Sequence, residues 1–134
     1  MPAMANITVK DSDGTTDRVF TALSPSGGDG SSALWRFEDM TRVPGHRITA
    51  EIKTMWNGPK TARRAVFSLR APIVQATSVA GVNAKVGEIR MENGNWIIPQ
   101  DAPSTFIAGT VALGANLMAS ALIKSAIADG FAPT

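Results

Sequence analysis

Two alternations of residue type between positions 47 and 70 could do chemistry. Arg47, Thr49, Glu51 and Lys53 recur at every second position, and so do Arg64, Val66, Ser68 and Arg70. In extended chain such residues share one face, spaced about 7 Å apart along the strand. Arg47, Lys53, Arg64 and Arg70 can neutralise phosphates, while the hydroxyls of Thr49 and Ser68 can bond base edges or sugar hydroxyls. Few aromatics fall on this face, which favours capture of a folded hairpin over stacking along an extended single strand.

The intervening residues say how this face is held. Ile48, Ala50 and Ile52 alternate with the first set, and Ala65, Phe67, Leu69 and Ala71 with the second. Period-2 alternation predicts two half-buried strands, 47–56 and 62–74, joined by the turn Asn57-Gly58-Pro59-Lys60. Paired antiparallel, they put an apolar face against a core and a polar, cationic face on the other side.

Charge segregates along the chain in the same sense. Residues 40–75 carry seven cations (Arg42, Arg47, Lys53, Lys60, Arg63, Arg64, Arg70) against Glu51, whereas residues 1–39 carry three against six acids. A local net of +6 suits a polyanion. The 134 residues are 44% apolar and 18% charged, with twelve Gly and eight Pro, as expected of one folded, turn-rich domain spanning 1–134. There is no Cys and a single His46, so disulfides and Cys metal sites are excluded, and neither a metal nor a cofactor is expected. No GxSxG and no paired carboxylates in an apolar setting occur. An enzyme is not expected, and no amino-terminal stretch has the order of a secretory signal.

Taken in order, ITVK and RVFTAL flank DSDGTTD, whose Asp13-Gly14 predicts a β-hairpin over 1–23. SPSGGDGSS (24–32) is a loop that lacks the phosphate-binding pattern. ALWRFED is a short strand with Trp35 in the core, and the main sheet is expected over 33–99. Pro72 is expected to limit the second long strand. QATSVAGVNAKVG (75–87) reads as an exposed flexible loop or a hairpin tip. For EIRMENGNWIIP (88–99) we expect a single strand bulging near Gly94, the alternative being a small hairpin turned by Asn93-Gly94.

From Ser104 the chain changes character. Ser104 suits an amino-terminal cap, Gly130 suits a carboxy-terminal stop, and the helical tail over 104–130 should form one bent helix or two that break near Gly114 and Ala115. No charge falls between Asp101 and Lys124, so a membrane anchor has to be weighed. Its polar dilution and the uncovered sheet count against that. A helix apolar nearly all round needs cover on more than one side, which predicts a second copy of the chain.

The ordered sum of these elements resembles the coat proteins of single-stranded RNA bacteriophages of the levivirus type. The elements are the hairpin at Asp13-Gly14, the Trp strand, two long strands ending at Ala71-Pro72, the loop SVAGV, a strand ending in Ile98-Pro99, and carboxy-terminal helices. The resemblance implies an α+β fold in which an amino-terminal hairpin and a five-stranded antiparallel sheet are joined to helices that interlock in a homodimer. It implies a non-enzymatic subunit of an icosahedral shell, located in the virion and assembled in the cytoplasm of a bacterial host. Its partners would be itself and genomic single-stranded RNA, including a hairpin at the replicase start. Carried over by position, the RNA-binding residues would be Arg47, Thr49, Glu51, Lys53, Arg64, Val66 and Ser68, with Asn93 on the last strand, and Arg70 joins them through the alternation. Glu51 and Val66 depart from the family's usual hydroxyl and cationic residues. The alternative is a small dimeric RNA-binding translational regulator that builds no shell.

Overall fold

The computed structural model describes residues 2–39, 41–76 and 83–134, with the side chains of 75, 76, 83, 84 and 86 excepted. Seven strands form one antiparallel sheet in simple chain order: β1 Ile7–Lys10, β2 Asp17–Ser24, β3 Ala33–Phe37, β4 Thr49–Trp56, β5 Arg63–Ala76, β6 Asn83–Glu92 and β7 Asn95–Ile97. Two helices follow, α1 Ser104–Met118 and α2 Ala121–Asp129. The α+β class is as expected, but the sheet has seven strands, not five. The hairpin is no separate element, because β2 pairs on into β3, with Phe20 opposite Phe37 and Ala22 opposite Trp35.

The Asp13-Gly14 turn forms as read. Gly14 has φ +74°, and the Asp13 carboxylate caps the turn by accepting from the Thr16 hydroxyl and from the backbone N–H groups of Thr16 (2.8 Å) and Thr15 (2.9 Å). Those bonds, the Thr16 hydroxyl first, hold the Asp13 carboxyl far below its ordinary value.

At the other edge the expected single strand is corrected. Asn93 (φ +54°) and Gly94 (φ +83°) make a two-residue turn that pairs Met91 with Trp96 and Glu92 with Asn95. Two successive positive φ values are what an Asn-Gly hairpin turn needs. The very short second arm is held because Trp96 packs against the core. Upstream, β5 does not end at Pro72. It continues past a bulge at Ile73/Val74 and still pairs with β6 at Ala76–Asn83. The β4 ladder starts only opposite Arg70, so on that side Pro72 has no neighbour to which an N–H would be owed. Of the loop expected at 75–87, residues 77–82 lie outside the described residues, and the remainder on both sides is strand.

The helices cover one sheet face. Trp35, Phe20, Ile52, Leu69 and Ile89 from the sheet and Leu117 and Ile123 from the helices are fully buried together. The break falls at Ala119-Ser120, with a bend of 51°, and not at Gly114, which lies inside α1. A Cβ at Gly114 would stand 2.5 Å from Trp96 Cη2 and 3.3 Å from Leu69 Cδ2, so glycine there serves close approach rather than a bend. Ser104 begins α1 without capping it; Pro103 holds the cap position. Gly130 ends α2 in the left-handed conformation (φ +81°), as expected. Among the described residues no single helix is long and apolar enough to cross a membrane, although α1 and α2 together reach that length and composition.

The chain end is tied down. Thr54, buried within β4, accepts the backbone N–H of Ala132 at its hydroxyl oxygen (3.0 Å). Met4 N–H donates to Thr134 and Ser26 N–H to Pro133. Arg63 binds Asp29 of the 24–32 loop through both terminal nitrogens (2.7 and 2.8 Å), donates to the Gly130 carbonyl and lies over Phe131. One of the seven cations counted in the basic segment is therefore a clamp.

Candidate nucleic-acid interface

The face of the sheet opposite the helices is the one that sequence alternation picks out. The β4–β5 register sets Thr49 opposite Arg70, Glu51 opposite Ser68, Lys53 opposite Val66 and Met55 opposite Arg64. Directly opposed residues of an antiparallel pair point to the same side. Eight of the nine expected site residues therefore fall into place on or beside this face, and the ninth, Arg47, is displaced.

Arg47 precedes β4. It closes the short 3-10 turn Pro44–His46, its guanidinium is paired with Glu38, and its side chain is only 10% exposed. Its expected position on the strand is thus corrected: Arg42, whose carbonyl accepts from Arg47 Nε at 3.3 Å, and Glu38 hold it to the sheet rim. Asn93 sits in the β6–β7 turn, exposed and one residue beyond Glu92.

The register also brings in residues that sequence reasoning missed. β3 adds Leu34 opposite Glu51 and Arg36 opposite Thr49. β6 adds Arg90 opposite Arg70 and Glu92 opposite Ser68. The signal was present as Glu88, Arg90 and Glu92 alternating with the buried Ile89 and Met91. Across the sheet the face reads as rows: Arg36, Thr49, Arg70, Arg90, Ile97; then Leu34, Glu51, Ser68, Glu92, Asn95; then Lys53 with Val66, and Met55 with Arg64.

The first two rows enclose a concavity of about 380 Å³ lined by Leu34, Thr49, Glu51, Ser68, Arg70, Arg90 and Glu92. That volume lies at the small end of ligand pockets, which run from roughly 300 to 1,000 Å³.

Electrostatically the face is less cationic than the segment count suggests. Arg70 pairs with Glu88 (2.8 Å), Arg90 with Glu92 (2.6 Å), and Arg36 with Glu38 (2.5 Å). Burial works against ionisation of Glu88, but the hydrogen bond from Lys85 and the charges of Arg70, Lys85 and Arg90 together hold its carboxyl below the ordinary value. Among the described residues Lys53, Arg64 and Glu51 form no ion pair. Lys53 and Arg64 lie toward the β4–β5 turn, so uncompensated positive charge collects at this end of the face.

A seven-stranded antiparallel sheet with two helices packed on one face and an open, polar second face defines the class of fold. Neither a protein-family model nor a curated protein sequence matches the chain. Solved structures do. A virus-like particle of Beihai levi-like virus 21 is 21% identical, covering 96% of this chain and 95% of that one, with a TM-score of 0.53. A virus-like particle of bacteriophage NT-214 is 13% identical over 98% of both chains, with a TM-score of 0.56. The bacteriophage EMS014 coat protein is 14% identical, covering 99% of this chain and all of that one, also at 0.56. The chain shares the fold of these virus-like-particle and coat-protein structures over essentially its whole length.

Proposed function

We propose that this chain is the structural capsid subunit of a single-stranded RNA bacteriophage. It dimerises and assembles into an icosahedral shell around genomic RNA, with the helices outward and the open sheet face toward the RNA. It is not an enzyme. The observation that carries this reading is the two-sidedness of one sheet in a coat-protein fold: helices cover one face, while the other offers a polar concavity and, further along β4 and β5, Lys53 and Arg64, which form no ion pair among the described residues.

Two features support the dimer. The β1 edge is covered by α1, whose Asn116 side-chain amide donates to the Lys10 carbonyl (2.6 Å), whereas β7 ends the sheet with Ile97 58% exposed. The helices keep Val111, Met118 and Ile127 partly in the open. An uncovered edge and an apolar helix surface on one chain invite a second copy that continues the sheet and covers the helices. In such a particle the protein resides in the virion, and assembly takes place in the host cytoplasm.

The test is size-exclusion chromatography of the bacterially expressed chain, with absorbance at 260 and 280 nm and negative-stain microscopy of the leading fraction. Megadalton particles holding nuclease-protected RNA are expected. A small species that binds RNA and forms no particles at any salt would replace the shell by the translational regulator.

A further inference from the structure

Resting on the reading of the open face as an RNA surface, we infer that its concavity selects a guanine base and that Glu51 is the residue that reads it. Glu38, Glu88 and Glu92 on or beside this face are each paired with an arginine. Glu51 alone among them makes no ion pair or hydrogen bond with the described residues, and it lines the concavity between Leu34 on β3 and Ser68 on β5. An unpartnered carboxylate repels phosphates, so its place in an RNA surface calls for a ligand group that donates.

The base edges differ sharply in what they offer such a group. Guanine presents N1–H and N2–H side by side, matching the two carboxylate oxygens of Glu51. Cytosine offers the N4 amino group alone. Adenine sets the N1 acceptor beside its N6 donor, and uracil flanks its one N–H with two carbonyls, so each turns a lone pair toward the carboxylate.

The remaining lining suits the rest of a guanine. The Thr49 and Ser68 hydroxyls can donate to O6 or N7, Leu34 gives an apolar contact, and the opposed Arg70 and Arg90 supply planar guanidinium groups that stack on a base. The phosphates flanking that base fall to Lys53, two positions along β4, and to Arg64.

The test uses the full-length chain, freed of bacterial RNA at high salt, with four RNA heptamers of sequence UUUXUUU in which X is G, C, A or U. Fluorescence anisotropy at low salt should show the G heptamer bound about tenfold more tightly than the A heptamer, the scale of one good bidentate base contact. In Glu51→Gln, whose amide turns an N–H toward one of the two guanine donors, the G-to-A ratio should fall to within about twofold, with binding of the A heptamer retained or improved. Salt-dependent binding of all four heptamers without discrimination overturns the guanine assignment and leaves the RNA face standing. A guanine preference that survives Glu51→Gln also overturns it. Absence of binding to every heptamer at low salt refutes the RNA face itself, and the pocket with it.

Discussion

Replacing Gly114 by alanine sets two effects of known sign against each other. In an open helix the change stabilises by about 1 kcal/mol, because alanine loses less backbone entropy and is the better helix former. Here the new methyl would stand 2.5 Å from Trp96 Cη2, 3.0 Å from Trp96 Cζ2 and 3.3 Å from Leu69 Cδ2. The indole is rigid and belongs to a three-residue strand, so relief means shifting β7 or lifting α1. Overpacking of that kind costs about 1–3 kcal/mol. The second effect wins: Gly114→Ala should be destabilising by about 1 kcal/mol, which is about 3 °C in Tm for a chain of this size.

Urea unfolding followed by circular dichroism, at fixed protein concentration, measures this directly. The decisive comparison repeats the substitution on a Trp96→Ala background, where only the 3.3 Å approach to the flexible Leu69 side chain remains and Gly114→Ala should become stabilising. The coupling between the two positions should exceed about 1 kcal/mol, within the range for residues in contact. Stabilisation in the wild-type background, or additive effects, would mean that α1 does not cross β7 at Gly114.

Three further outcomes are expected. Thr54→Val keeps the shape of the buried side chain but leaves the Ala132 N–H without its acceptor, so stability should fall by about 1–3 kcal/mol, read from the urea midpoint at unchanged m; an unchanged midpoint would detach the chain end from β4. Asp13 has a carboxyl depressed in the folded state, so its contribution is full above the unfolded value of about 3.9 and is lost as pH falls below it. The stability gap between wild type and Asp13→Asn should therefore narrow from pH 6 to pH 3, the other carboxylates cancelling in the difference, and a pH-independent gap would refute the cap. On the open face, Lys53→Ala with Arg64→Ala should lower the slope of log K against log[salt] for single-stranded RNA by about 1.4, and an unchanged slope would remove both residues from the phosphate path.

The strands that hold the site were legible because their alternation is strict. One-residue spacing errors would have turned every side chain to the wrong face, and Thr49, Glu51 and Lys53 do share a face with Arg70, Ser68 and Val66, as the alternation implies, the pairing itself being set by the register. The β6 contribution is harder to read although Glu88, Arg90 and Glu92 alternate just as clearly, because charges of both signs cancel in the net charge of a segment. Arg47 was misplaced for the reverse reason. It continues the parity of β4 in sequence, yet the ladder starts two residues later and Glu38 takes its charge.

By itself, then, the sequence determined the strand alternation, the Asp13-Gly14 turn, the helical tail with its Gly130 stop, and which sheet face is polar. These follow from local periodicity and backbone preference. Only the tertiary structure decided that the hairpin joins a seven-stranded sheet, that Asn93-Gly94 turns the chain, and that Gly114 marks a crossing of Trp96 rather than a helix break. It also decided which cations of the open face are paired with carboxylates, as Arg70 and Arg90 are, and which, Lys53 and Arg64, form no ion pair among the described residues. Each of those depends on what another segment, distant in sequence, places against the residue, and spacing along the chain does not carry that information.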